Sequence, residues 1–188
     1  MLWAAALVCF FGFMRAGELM GDRKDGFDPS QHLGLEDVTA DSQTNPTMVQ
    51  LTLKKSKTDP FRQGVNIVLG ATCNDLCPVQ ALFAYLRMRG GAPGALLIHE
   101  DGARLTRSYF VSKIRTALSA VGYGDTSRFS GHSFKAGAAT TAAAMKVEDS
   151  IIKTLGRWES SAYLLYVRIP KEELKGISHT ISRFGTSA

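Results

Sequence analysis

The 188-residue sequence predicts an α+β domain, mainly helical, with a small antiparallel sheet and a hairpin. Strand-like alternation is confined to residues 33–69, and apolar residues at helical spacing dominate before and after it. No internal repeat, low-complexity tract or Gly/Ser linker divides the chain, and 45% hydrophobic composition is ample for one core, so residues 1–188 read as one domain.

The opening run, MLWAAALVCFFGF, is too short to span a membrane and lacks the basic start of a secretory signal. It reads as a buried helix of a domain that a further N-terminal part would precede. Residues 21–31 are rich in Asp, Gly and Lys and form a loop. Residues 33–39, 48–53 and 65–69 are the three strand-like pieces, the last two joined by KKSKTDPFRQG, whose Asp59-Pro60 and Gly64 mark a turn. Pro78 suits a first helical position, Leu82, Tyr85 and Leu86 repeat on one face, and Gly90-Gly91 ends that helix. Thr106 caps a helix that buries Phe110, Ile114 and Leu118 and stops near Gly122. Three short helices follow over residues 133–145, 149–155 and 160–167, and a helical tail is expected within 171–188.

Residues 1–100 hold nine Lys or Arg against ten Asp or Glu, whereas residues 101–188 hold thirteen against seven, so the excess positive charge lies in the second half. Such a surface fits phosphates, although many domains without nucleic acid share it. Cys9 lies in an apolar run and reads as a buried thiol. Cys73 and Cys77 are spaced like one half of a zinc site, but no second Cys or His pair follows at finger spacing.

Four segments carry candidate chemistry, each beside a plain structural reading. In FMRAGEL, Arg15 either serves a site or pairs with Glu18 to hold a helix end. Lys54, Lys55 and Lys57 crowd a turn that could simply be solvated. His132 and Lys135, in SGHSFKAGAATTAA, share one face at a helix start, where positive groups oppose the macrodipole and a bound phosphate would compensate them. In LGRWESSAYLLYVRIP, Trp158 and Tyr166 have the spacing of ordinary core aromatics.

Taken in order, these segments resemble the tyrosine recombinase, or phage integrase, family, most of all the enzymes of eukaryotic Crypton-like and DIRS-like mobile elements. The resemblance runs through nearly the whole chain and implies that family's catalytic-domain fold. It implies a site of Arg15, Lys57, His132, Lys135, Trp158 and Tyr166, with no cofactor and no metal. Arg15 would clamp the scissile phosphate, Tyr166 would attack it to leave a 3′-phosphotyrosine, and His132 would accept a proton or donate to the phosphate. Lys57 would protonate the leaving oxygen, while Trp158 would donate its indole N–H to phosphate and buttress the tyrosine. Tyr163 is the competing nucleophile, but the spacing of Tyr166 from Trp158 and the following Val167-Arg168 match the family pattern better. Lys135 departs from it, because the family has arginine there, and lysine keeps the charge without the planar fork.

The resemblance further implies double-stranded DNA as partner, a tetrameric assembly on that DNA, no membrane, nuclear action, and an N-terminal DNA-clamping domain missing here. An impaired DNA-binding module derived from such an element, and a relaxer like the type IB topoisomerases, are the alternative readings.

Overall fold

A computed structural model describes residues 1–23, 26–54, 64–72 and 74–167. Lys55 and Lys57 of the hairpin, Cys73 and the tail at 171–188 lie outside the described residues.

Helix α1, Leu2–Phe11, starts on the strong helix formers Leu2, Ala4, Ala5, Ala6 and Leu7 and buries Ala4, Ala5, Leu7, Val8 and Cys9. It packs against helix α3, Pro78–Arg89, and helix α5, Ser133–Ala144. Such burial pushes the Cys9 thiol far up from its ordinary pKa, in keeping with an inert core cysteine. A Cβ on Gly12 would stand 2.7 Å from the Val8 carbonyl oxygen, and Phe13 follows with φ 49°. The chain therefore breaks sharply before the four-residue helix α2, Ala16–Leu19, which places Arg15 at its N-cap.

Strands β1, Val38–Ala40, β2, Met48–Leu53, and β3, Val65–Gly70, form one antiparallel sheet in that order. Val38 opposes Leu51 and Leu53 opposes Val65. Val49, Leu51 and Leu53 of β2 and Ile67 and Leu69 of β3 face the core, the period-two pattern seen in the sequence. The strand expected over residues 33–39 is shorter: Leu35–Asp37 forms a 3-10 turn in which the Asp37 carboxylate accepts from the Gly34 amide at 2.8 Å. That local bond satisfies backbone that would otherwise enter the ladder.

Helix α3 begins at Pro78, with the Cys77 sulfur accepting from the Gln80 amide, and ends before Gly90 at φ 76°. Helix α4, Arg107–Ala120, is capped by the Thr106 hydroxyl, which accepts from the Tyr109 amide. Of its expected core residues Phe110 is fully buried, while Ile114 and Leu118 are half-buried in an apolar groove shared with Phe10 and Phe134. Helix α6, Asp149–Gly156, packs on α5, and a second apolar cluster of Phe13, Ala138, Ala139, Ile152, Trp158 and Tyr163 fills the angle between them. The last expected helix is a five-residue 3-10 turn, Ser161–Leu165. Among the described residues no helix is long and apolar enough to cross a membrane.

Candidate active site

The break after α1 presents Arg15 beside the N-terminus of α5. Its neighbour Ala16 donates its amide to the Gly131 carbonyl at 2.8 Å, which holds the two segments together. Gly131 makes this approach a close one, since a Cβ would stand 3.3 Å from both the Ala16 Cβ and the Arg107 side chain. The resulting cleft, of about 470 Å³, is lined by Arg15, Gly17, Glu18, Arg107, Arg115 and His132, among others. Arg107 arrives because its amide donates to the Gly21 carbonyl at 2.9 Å, and its guanidinium pairs with the exposed Asp22 at 3.0 Å. Arg115 is committed elsewhere, donating to the carbonyls of Phe129 and Ser127 at 2.9 and 2.7 Å.

Three cationic or titratable groups of this cleft act on one another. His132 has its pKa lowered by partial burial and then by the charges of Arg15 and Arg107, so its neutral form is favoured near pH 7. Glu18 is the acidic counterweight. One of its oxygens accepts from the Arg15 amide at 2.7 Å and from the Arg157 guanidinium at 3.2 Å, while the other stands 3.8 Å from the Arg15 guanidinium. The sequence offered this ion pair as an alternative to a site role for Arg15; the structure shows the pair and an Arg15 that still faces a cleft, its side chain 24% exposed.

His132 and Lys135 do not share a surface, contrary to their expected common face. His132 occupies the N-cap of α5 and is exposed, whereas Lys135 points inward and is 1% exposed. Three residues turn a helix by about 300°, so the two positions are neighbours, but the face of α5 that meets the interior takes in Lys135 and leaves His132 at the rim. Its ammonium lies over the Trp158 ring, 4.6 Å from the centroid. Burial, opposed by Glu18 and reinforced by Arg157 and Arg15, lowers its pKa to about 8.

Trp158 reaches this position because α6 ends in a left-handed residue, Arg157 at φ 57° and ψ 44°. The indole then lies directly over Gly156, where a Cβ would overlap its ring. Trp158 also meets Tyr166, with ring centroids 5.3 Å apart, and Tyr163 at 6.3 Å. The indole Nε1 is buried and finds no acceptor among the described residues, so in this conformation it is not presented to the cleft as a phosphate donor. The two tyrosines differ in surroundings. Tyr163 is buried, and a hydrogen bond with Asp149 raises its pKa. Tyr166 is half-buried, with its backbone carbonyl accepting from the Thr140 hydroxyl at 3.0 Å.

Lys57 falls outside the described residues, but Val65, at the foot of its hairpin, lines a small cleft with Arg157 and Trp158. Arg157 is the residue that sequence reasoning passed over, although it stands next to Trp158 in LGRW. Its side chain is 9% exposed and donates to the carbonyls of Gly12, Phe13 and Leu155 and to Glu18, at 3.0 to 3.2 Å. Nothing in the order of residues shows that a turn arginine reaches back some 145 positions.

No protein-family model and no curated protein sequence matches the chain. Solved structures match it in fold. XerA recombinase has a TM-score of 0.66 at 16% identity, over 95% of this chain and 59% of its own. XerH site-specific recombinase, bound to its palindromic difH substrate in a post-cleavage complex, has 0.65 at 15%, over 93% of this chain and 44% of its own. The Tn1549 transposon integrase, in complex with circular intermediate DNA, has 0.51 at 14%, over 89% and 53%. The chain thus spans about half the length of these proteins. Its helices and three-stranded antiparallel sheet match the tyrosine recombinase catalytic-domain fold, as the sequence predicts.

Proposed function

We propose that this chain is the catalytic part of a DNA recombinase or integrase that cuts and rejoins double-stranded DNA through a tyrosine nucleophile. The observation that carries the reading is convergence. Arg15 and His132 line one positively charged cleft, while Lys135, Trp158 and Tyr166 form a contiguous stack behind it, linked to Arg15 through Glu18.

In-line attack on a phosphodiester builds negative charge on phosphoryl oxygens, so positioned cations are the main resource. Arg15 binds the scissile phosphate with its fork, and Arg107 adds charge at the cleft wall. The Tyr166 oxygen bonds to phosphorus, the bond to the 5′ oxygen breaks, and Lys57 supplies that oxygen with a proton. Neutral His132 accepts the tyrosine proton or donates to the phosphate. The phosphoester energy is kept in the 3′-phosphotyrosine, and attack by the 5′-hydroxyl rejoins the strand. Tyr163 is unsuited, because a carboxylate at its phenol disfavours the phenolate. The reading extends to a mobile-element source, nuclear action, further DNA-clamping sequence and a homo-oligomer of four protomers on DNA.

One observation favours a second reading. Lys135 is buried with a depressed pKa and cannot form a bidentate fork, as an impaired DNA-binding module would show. A pool of randomised-sequence duplexes with a bridging 5′-phosphorothiolate separates the two, because the thiolate leaves without needing a proton and religates poorly. Covalent adduct from the wild type, increased by Lys135→Arg, supports the recombinase; DNA binding without adduct from either protein supports the module.

A further inference from the structure

We propose that Arg157 is a positioning residue that fixes Arg15 relative to the Trp158–Tyr166 segment through the Glu18 carboxylate that also holds the Arg15 amide; the proposal rests on the recombinase reading. Its geometry is that of a clamp with two jaws. Nη1 donates to the Gly12 carbonyl at 3.1 Å and Nη2 to the Phe13 carbonyl at 3.0 Å, the groups left over where α1 ends. Nη2 also donates to Glu18, whose same oxygen holds the Arg15 amide. One guanidinium therefore grips the turn just before Arg15 and the acid just after it, while its own backbone begins the segment carrying Trp158 and Tyr166.

Helix capping alone does not account for the arrangement. Arg157 occupies a left-handed conformation that favours glycine, while the glycine stands one residue earlier, where a Cβ would overlap the Trp158 ring. Its Nε is buried without an acceptor among the described residues, a further cost that a purely structural cap would avoid. Lysine could reach one carbonyl but not both jaws.

The test has two readouts on the full chain. The first, without DNA, is hydrogen exchange of the Arg15 backbone amide, which donates to Glu18 at 2.7 Å, compared in wild type, Arg157→Met, Glu18→Gln and the double variant. Exchange should accelerate about tenfold or more in each single variant and no further in the double, since a charge-assisted link of this kind is lost once. Should Arg157→Met fail to fold, Arg157→Lys makes the same comparison with the charge retained. Unchanged Arg15 exchange in a folded Arg157 variant, or additive effects, would overturn the proposal. The second readout is adduct formation on the randomised phosphorothiolate duplexes, expected to fall about 100-fold with DNA affinity held, the size that a misplaced reacting group carries. If Arg15 responds as stated while the wild type forms no adduct, the positioning holds and the recombinase reading fails.

Discussion

Replacing Lys135 by methionine should stabilise the fold while disabling the site. The lysine is 1% exposed, and its pKa of about 8 lies a little over two units below the ordinary value of about 10.4. At 1.36 kcal/mol per unit, holding the charge in the folded state costs about 3 kcal/mol near pH 7. The contact with Trp158 returns about 1–2 kcal/mol of this when desolvated, and methionine fills similar space, so the net gain on substitution is about 1–2 kcal/mol. The pH dependence has a definite sign. Because the folded pKa is depressed, the unfolded chain holds the proton more tightly between pH about 8 and about 10.4. Wild-type stability should therefore rise across that window relative to the variant, and fall back as pH drops through 8. Urea unfolding followed by tryptophan fluorescence at several pH values measures the difference. A Lys135→Met protein less stable than wild type at pH 7, with a pH-independent difference between them, would refute the reasoning.

Other substitutions test the second core cluster and the choice of tyrosine. Gly156→Ala forces the Trp158 ring off its seat and should cost about 1–3 kcal/mol, read as a lower melting temperature and a shifted tryptophan emission. Tyr163→Phe removes the phenol whose pKa Asp149 raises and should leave DNA adduct formation intact, measured on the same duplexes as the wild type. Thr106→Ala removes the α4 cap and should cost about 1 kcal/mol, with cleavage unaffected below the melting transition.

Much of the fold was legible because its elements carry local signals. Pro78 and Gly90 bound α3, Thr106 starts α4, and β2 and β3 alternate between core and solvent. The departures have local causes too. Asp37 bonding back to Gly34 shortens the first strand, and the Ser160 hydroxyl, accepting from the Ala162 amide, opens a 3-10 turn where an α-helix was expected. Of the residues that the sequence singled out, Arg15 and His132 line one cleft, and Lys135, Trp158 and Tyr166 pack on one another. Their orientations were not legible. Whether Lys135 points outward with His132 or inward to Trp158 depends on which face of α5 meets α6, a tertiary fact. Arg157 escaped notice for a related reason, since its partners Gly12, Phe13 and Glu18 are distant in sequence.

The most direct measurement for the central claim is the identity of the residue that becomes bonded to DNA. Wild-type protein would be incubated with the randomised phosphorothiolate duplexes, digested with nuclease and protease, and its peptides weighed for a nucleotide phosphate on tyrosine. The account predicts that mass on Tyr166, its loss in Tyr166→Phe, and none on Tyr163. A nucleotide on Tyr163, or DNA cleavage that leaves no protein-linked phosphate, would contradict it.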